Sequence, residues 1–200
     1  MLDDRVRRVL RRLEHETARD EATGVPIDRR SLQIEPSSGA LLFALASGRP
    51  GCEVLEIGGS RGYSTIWLGA AVRGHGGHVT SLEVEPAKVA ASRRNIADAG
   101  LDDWVEVIPG DAFDTLAGLD GPYDVVFLDA WKEDYEALFA LARARAEAGA
   151  VVIADNVLSH PQLAAYSAAR QADPTAVSVT VPLDSGLEVT TLLTGGLLSG

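Results

Sequence analysis

The chain has 200 residues, of which 46% are hydrophobic, so it can bury one sizeable core, and we expect a single domain over residues 1–200. With 18 basic against 29 acidic residues the formal net charge is −11, which argues against nucleic acid and anionic membranes as partners. The single cysteine, Cys52, excludes an internal disulfide, and we find neither a secretion signal nor a run of about 18 apolar residues, so a cytoplasmic location is predicted.

The first 50 residues predict a helical cap on the rest of the chain. Residues 2–20 favour a helix because apolar side chains recur at helical spacing, with arginines between them. The apolar positions are Val6, Val9, Leu10 and Leu13. We interpret the arginines as a solvated basic face, with a dimer contact or an active-site lid as the alternatives. A second short helix is predicted over 38–47.

From residue 53 onward, apolar strands alternate with helices. The predicted strands are 53–57, 78–84, 104–108, 123–129 and 150–155. The predicted helices are 62–72, 86–99, 112–117, 132–147 and 161–172, with Gly149 closing the fourth of them. Each strand is apolar on both faces, which is typical of a parallel sheet covered by helices on both sides. The sequence therefore predicts an α/β fold.

The last two strands break this alternation. Residues 176–183 and 187–193 flank Asp184-Ser185-Gly186, which leaves no room for a helix between them. A short connection of this kind joins antiparallel strands. We therefore expect an antiparallel hairpin at one edge of the sheet.

A glycine-rich loop follows the first strand of the alternation. The dinucleotide pattern GxGxxG starting at Gly58 fails, because Ser60 and Tyr63 occupy the other glycine positions. Glu83 follows about 20 residues after Gly62, where an acid can accept hydrogen bonds from ribose hydroxyls. A nucleoside without a pyrophosphate fits this pattern better than a dinucleotide does. The alternative is that Glu83 is a solvated acid at a strand end.

Acidic and amide side chains also follow the fourth and fifth strands. Asp129, Asp155 and Asn156 would meet at the carboxyl edge of the sheet, where two carboxylates repel each other unless a cation lies between them. Three oxygen donors suit a hard ion, with Mg²⁺ expected and Ca²⁺ as the alternative. Without the metal, Asp155 and Asn156 would be interpreted as caps of the next helix.

Six motifs resemble one family in the same order over residues 32–190. They are EIGGSRGYST, SLEVEP, GDA, FLDAWKEDY, ADNV and DSGL. They are similar to the metal-dependent class I O-methyltransferases, the group that includes catechol and caffeoyl-CoA O-methyltransferases. The resemblance implies S-adenosyl-L-methionine (SAM) bound to a doubly wound, Rossmann-like core over 51–193, with seven mostly parallel strands and the last strand antiparallel. It also implies a homodimer and a small aromatic diol as the acceptor.

Matching these motifs residue by residue assigns expected roles. The SAM-contacting set implied by the resemblance is Ile34, Glu56, Gly58, Ser64, Glu83, Asp111, Ala112, Asp129 and Trp131. The implied metal ligands are Asp129, Asp155 and Asn156. Lys132 matches the catalytic base that removes the proton of the acceptor hydroxyl, and with Leu32 it contacts the substrate. The alternative for Lys132 is a surface lysine paired with an acid such as Glu133 or Glu136.

The chain also departs from the family pattern on the substrate side. Ser37 and Ser38 stand where the family often has an acid, and residues 178–181 lack the acid that holds the second hydroxyl of a catechol. Ala130 replaces a histidine of the catechol branch. Two other functions therefore remain open, namely a metal-independent SAM methyltransferase acting on another small acceptor and a non-catalytic SAM-binding regulatory protein.

Overall fold

The computed structural model describes residues 2–26 and 32–193 as helices, strands and their connections. The helices are α1 (Asp4–Ala22), α2 (Pro36–Ser47), α3 (Tyr63–Val72), α4 (Pro86–Ala99), α5 (Ala112–Thr115), α6 (Tyr135–Arg143) and α7 (Ala164–Gln171). The strands are β1 (Glu53–Ile57), β2 (His78–Glu83), β3 (Val105–Pro109), β4 (Tyr123–Leu128), β5 (Ala146–Ala154), β6 (Ala176–Val181) and β7 (Leu187–Leu192).

The seven strands form one sheet in the order β3-β2-β1-β4-β5-β7-β6. The pairings among β1 to β5 are parallel, whereas β7 runs antiparallel to both β5 and β6. The chain passes outward from β1 to β3 and then returns to β4 beside β1, so the switch in strand order lies between β1 and β4. This confirms the predicted doubly wound sheet with an antiparallel hairpin at its edge.

The sheet separates two apolar clusters, because successive side chains of each strand point to opposite faces. Val54 of β1 packs in the cluster that includes α1 to α4, whereas Leu55 packs in the cluster that includes α6 and α7. Both side chains are fully buried. The central strand β4 is therefore covered on both faces, as the sequence indicated, whereas β3 at the edge of the sheet also has exposed positions.

The predicted helix over 132–147 is wrong at both ends. Residues 132–134 form a 3₁₀ turn, α6 ends at Arg143, and β5 already begins at Ala146. Gly149 has a φ of +85° inside β5, near a register irregularity between β4 and β5, so it does not close a helix. The backbone N–H of Tyr123 donates to the carbonyl of Arg145. Pairing with β4 thus overrides the helix propensity of this alanine-rich segment.

Helix α1 has the predicted apolar face, but its basic face is not only a solvated surface. Its four predicted apolar positions are buried. Arg12 donates to the side chains of Asn95 and Asp98 on α4, and Arg5 donates to the carbonyls of Ala97 and Asp98. Part of the basic face therefore fastens α1 to the end of α4 instead of facing solvent alone.

Cys52 is a free, buried thiol, and burial raises its pKa to about 11, so it is poorly suited to act as a nucleophile. None of the helices in residues 2–26 and 32–193 is long and apolar enough to cross a membrane.

The edge hairpin is held by one completely buried acid, Glu188 of β7. Its carboxylate accepts hydrogen bonds from the hydroxyls of Ser178 and Thr180 on β6, both at 2.6 Å. The amide of Gln171, the last residue of α7, donates to the same carboxylate at 3.1 Å. Since a buried carboxylate is costly unless it is fully hydrogen-bonded, these donors and Glu188 depend on one another.

We expect Glu188→Ala to lower the free energy of unfolding by at least about 2 kcal/mol, because it empties a fully buried position and leaves three partly buried or exposed donors without their acceptor. Urea denaturation followed by circular dichroism would measure the loss. Glu106→Ala is the matched control, since Glu106 is an exposed acid on β3, and it should change the free energy by no more than about 0.5 kcal/mol. Equal effects of the two substitutions would contradict the assignment.

Candidate active site

The candidate site lies where β1, β4 and β5 end, next to the switch in strand order. The register places Ile57 beside Leu128 and Leu128 beside Ala154, so the residues that follow β4 and β5 are neighbours. Backbone hydrogen bonds extend this alignment, because the Asp155 N–H donates to Leu128 O at 3.0 Å. The structure thus brings together Asp129 and Asp155, as predicted.

Gly58 allows the loop after β1 to approach the end of β4. It has a φ of +98°, and a Cβ atom at this position would collide with the backbone carbonyl of Asp129. A larger residue would therefore separate the glycine loop from Asp129. The backbone of Asp129 is thus the nearest neighbour of this glycine.

Glu56 is a fully buried carboxylate at the base of the glycine loop. Its Oε2 accepts hydrogen bonds from the hydroxyls of Thr65 and Ser81, whereas its Oε1 is buried without a hydrogen-bond partner. Burial raises the pKa of Glu56. Ser64, another residue predicted to contact SAM, is buried in the first turn of α3. A buried carboxylate oxygen that lacks a partner is suited to bind a positively charged or donor group.

Glu83 is fixed at the end of β2 and is mostly buried. Its two carboxylate oxygens accept from the backbone N–H groups of Ser60, at 2.8 Å, and Glu85, at 2.9 Å. Glu83 is therefore not the freely solvated acid of the alternative interpretation. Each oxygen keeps lone-pair capacity for a further donor, such as a hydroxyl group.

Three members of the predicted SAM-contacting set, Asp111, Ala112 and Trp131, are exposed or only partly buried. Asp111 caps α5 by accepting from Phe113 N at 2.8 Å, and Ala112 begins that helix. Trp131 is 74% exposed. Of the two residues predicted from the N-terminal segment, Ile34 is buried and Leu32 is exposed. The open Trp131 ring leaves an aromatic face available to a flat ligand.

Asp155 is 2% exposed and lies close to a second carboxylate. Burial and, next, the negative charge of Asp129 raise the pKa of Asp155 to about 6. Ser185 Oγ donates to Asp155 Oδ1 at 2.9 Å. The two acids thus form a negatively charged pair that a cation between them would stabilise.

The structure weakens the helix-cap alternative for Asp155 and Asn156. The residues before α7 form a 3₁₀ turn whose N-cap is His160, without a side-chain capping bond. Among the described residues, no three His, Cys, Asp or Glu side chains cluster as a metal-binding group. The predicted set instead combines two carboxylates with the amide of Asn156, whose backbone has a φ of +66°. Metal binding by this set stays a prediction.

Lys132 points into the site. Its Nζ donates to Asp129 Oδ1 at 2.8 Å and to the hydroxyl of Tyr135 at 3.0 Å. Its side chain is 15% exposed. The alternative of a surface lysine paired with Glu133 or Glu136 is therefore wrong, because the acidic partner of Lys132 is Asp129.

A cavity of about 450 Å³ opens beside this cluster. It is lined by Gln33, Ile34, Glu35, Asp155, Asn156, Asp184 and Ser185. A further cavity of about 360 Å³ lies at the amino ends of β1 and β4, and it contains none of the predicted site residues. The larger cavity therefore marks the approach to the predicted metal ligands.

Three residues that the sequence did not single out support this site. Tyr135 contacts Lys132, Ser185 contacts Asp155, and Asp184 accepts hydrogen bonds from Ser37 and Ser38 at the start of α2. Tyr135 lies within FLDAWKEDY, and the other two lie within DSGL. The motifs thus contained these residues, but only the fold shows what each one contacts.

Comparison with known proteins agrees with this arrangement. A family described as a methyltransferase domain matches residues 55–157. A catechol O-methyltransferase of Mycobacterium tuberculosis is 38% identical over 169 residues, which cover 82% of this chain and 76% of that protein.

Two solved structures share the fold. An O-methyltransferase from Bacillus cereus in complex with SAH has a TM-score of 0.76 at 28% identity, covering 90% of each chain. The O-methyltransferase TomG from Streptomyces achromogenes, in complex with SAM, has a TM-score of 0.77 at 26% identity, covering 91% of this chain and 89% of that one. Together with the glycine loop and the acids at the strand ends, these similarities show that the chain belongs to the class I SAM-dependent O-methyltransferases.

Proposed function

We propose that the enzyme uses a divalent metal to methylate one hydroxyl of a small aromatic vicinal diol. The observation that carries this proposal is the convergence of Asp129, Asp155 and Lys132 at the ends of β4 and β5, with Asn156 directly after them. The relative described as a catechol O-methyltransferase supports the same acceptor class. The proposal names the acceptor and the metal, which the family alone leaves open.

The residues present fit SAM. The unpartnered Oε1 of Glu56 and the buried Ser64 would bind the polar methionine end, and Glu83 would accept from the ribose hydroxyls. Trp131 would cover the adenine on the open side, next to Asp111 and Ala112. Ile34 would close the opposite wall, because it is buried while it lines the cavity.

The donors also fit a divalent ion. Asp129, Asp155 and Asn156 offer hard oxygen ligands, and the raised pKa of Asp155 reflects burial and then repulsion by Asp129, which a cation would relieve. Mg²⁺ is the expected ion, with Ca²⁺ as the alternative. When bound, SAM supplies the methyl group and the ion supplies positive charge beside the acceptor oxygens.

Lys132 would receive the proton of the hydroxyl that is methylated. Its Nζ lies next to Asp129, so a diol held at the predicted metal ligands would come close to the amine. General-base assistance of this kind is typically worth about 10²- to 10⁴-fold in rate. The chain would contribute chiefly by positioning the acceptor hydroxyl and removing its proton.

Exposed apolar side chains would hold the acceptor ring. Leu32, which precedes the cavity residue Gln33, and Leu158, which follows two residues after Asn156, are large hydrophobic residues that remain exposed. Such residues favour binding of a flat aromatic molecule. Since residues 178–181 provide no acid for the second hydroxyl, we expect mixed methylation of the two hydroxyl positions.

The proposal predicts methyl transfer from SAM to 3,4-dihydroxybenzoate or caffeate in the presence of Mg²⁺, and its loss in EDTA. Chromatography of the methylated products would measure both. The monohydroxy analogue 4-hydroxybenzoate is the matched control and should not be methylated, because it cannot offer two adjacent oxygens. Activity that persists in EDTA would instead support the metal-independent methyltransferase.

A further inference from the structure

Tyr135 lies beneath Lys132 at the first residue of α6 and is 1% exposed. Its hydroxyl lies 3.2 Å from the backbone carbonyls of both Leu128 and Asp155, and 3.0 Å from Lys132 Nζ. One buried hydroxyl therefore connects the end of β4, the first residue after β5 and the proposed base.

In the hydrogen bond between Lys132 and Tyr135, the amine is the donor and the hydroxyl oxygen is the acceptor. A tyrosine hydroxyl has one proton, and the two backbone carbonyls can only accept it. The hydroxyl oxygen is then left to accept an N–H from Lys132, as the 3.0 Å contact shows. The other N–H groups and any lone pair of Nζ consequently point away from Tyr135.

The tyrosine ring has little freedom to move. It packs edge-on against Tyr166 with ring centroids 5.6 Å apart, and Lys132 Nζ lies 5.1 Å from the Tyr135 centroid. Lys132 also donates to Asp129, which is a proposed metal ligand. A metal at Asp129 would compete with the lysine for that carboxylate, whereas the contact with Tyr135 would be unaffected.

We propose that Tyr135 is a positioning residue for Lys132, which holds the amine at a fixed place between the ends of β4 and β5 so that it faces the acceptor hydroxyl. The inference rests on the proposed function, because Lys132 matters to turnover only if it receives the proton. Tyr135 itself does not contact substrate, and it acts through the orientation of Nζ.

Tyr135→Phe removes only the hydroxyl. We expect it to lower kcat for a catechol by about tenfold and to leave KM for SAM unchanged within about twofold. Tyr166→Phe is the matched control, because the Tyr166 hydroxyl is buried without a hydrogen-bond partner and the Tyr166 ring packs against the Tyr135 ring. Equal losses in the two variants would overturn the inference, since they would show a general effect on packing.

Combination with Lys132→Ala separates positioning from a structural role. If Tyr135 acts through the amine, Tyr135→Phe should change the residual rate of the Lys132→Ala enzyme by less than about twofold. A further tenfold loss in that background would overturn the inference, because the hydroxyl would then act independently of Lys132.

A measurement that needs no turnover can test the role of Tyr135 separately from the proposed function. The chain has only two lysines, Lys88 and Lys132, so NMR of the side-chain ammonium groups should give two signals, which Lys88→Arg would assign. We expect Tyr135→Phe to make the Lys132 side chain more mobile and to leave Lys88 unchanged. An unchanged Lys132 signal would overturn the inference whatever the acceptor. A mobile Lys132 without catechol methylation would support positioning and refute the acceptor assignment alone.

Discussion

Replacing Asp155 by Asn is expected to raise the Mg²⁺ concentration needed for half-maximal activity by about 100-fold or more. The substitution keeps the size of the side chain but removes one of the two carboxylates that we assign to the ion. Loss of residues that merely support metal ligands typically costs 10- to 100-fold in affinity, so loss of a charged ligand should cost at least as much. Initial rates against free Mg²⁺, together with calorimetric titration of Mg²⁺, would measure the change.

Asp124→Asn is the matched control for this substitution. Asp124 belongs to β4 and lies at the amino end of that strand, whereas Asp155 follows the carboxyl end of β5. The side chain of Asp124 pairs with Arg49 at 3.7 Å. Its replacement should leave the Mg²⁺ dependence unaltered. SAM binding should survive in both variants, because neither replaces Glu56 or Glu83. An Asp155→Asn enzyme with a normal Mg²⁺ titration would remove Asp155 from the proposed ligands.

The sheet and the position of the site could be predicted because each depends on a local pattern. Apolar runs between helices predict parallel strands, and parallel strands place their carboxyl ends at a common edge. The sequence alone therefore groups Glu83, Asp129 and Asp155 at one edge of the sheet. In the structure β4 and β5 are neighbouring parallel strands, which brings the last two acids together.

Contacts between distant segments could not be predicted in the same way. Ser185 donates to Asp155 across 30 residues, and Ser37 donates to Asp184 across 147 residues. No periodicity encodes such pairs, because they arise only when loops from separate elements meet. Ser37 and Ser38 are an example. From the sequence we could say only that they stand where the family often has an acid. In the structure both hydroxyls bind the carboxylate of Asp184.

The prediction of the boundary between α6 and β5 was wrong for a related reason. The segment ALARARAEAG favours a helix at nearly every position, and nothing local marks Arg143 as the last helical residue. The end is set by tertiary contacts instead. Arg145 donates to the carbonyls of Leu119 and Leu141, and its own carbonyl accepts from Tyr123. Sheet pairing therefore begins earlier than propensity predicts.

Replacing Lys132 by Ala should reduce kcat for a catechol by at least about tenfold while SAM still binds. The partly buried amine lies 2.8 Å from Asp129 and would take the proton of the acceptor hydroxyl, a contribution typically worth about 10²- to 10⁴-fold. None of the residues proposed to hold the methionine and ribose parts of SAM is a lysine, so the Kd for SAM should change little. Single-turnover methylation and calorimetric titration of SAM would measure the two quantities separately.

Two further substitutions decide how Lys132 acts. Lys88→Ala removes the other lysine of the chain, whose side chain pairs with Glu85, and should leave kcat unchanged. Lys132→Arg keeps a positive charge near Asp129, but arginine does not give up its proton in proteins and cannot serve as a base. If Lys132 acts as a base, kcat of the Lys132→Arg enzyme should therefore be as low as kcat of the Lys132→Ala enzyme. If the arginine enzyme kept near-normal turnover, Lys132 would act through its charge, and proton removal would belong to another group.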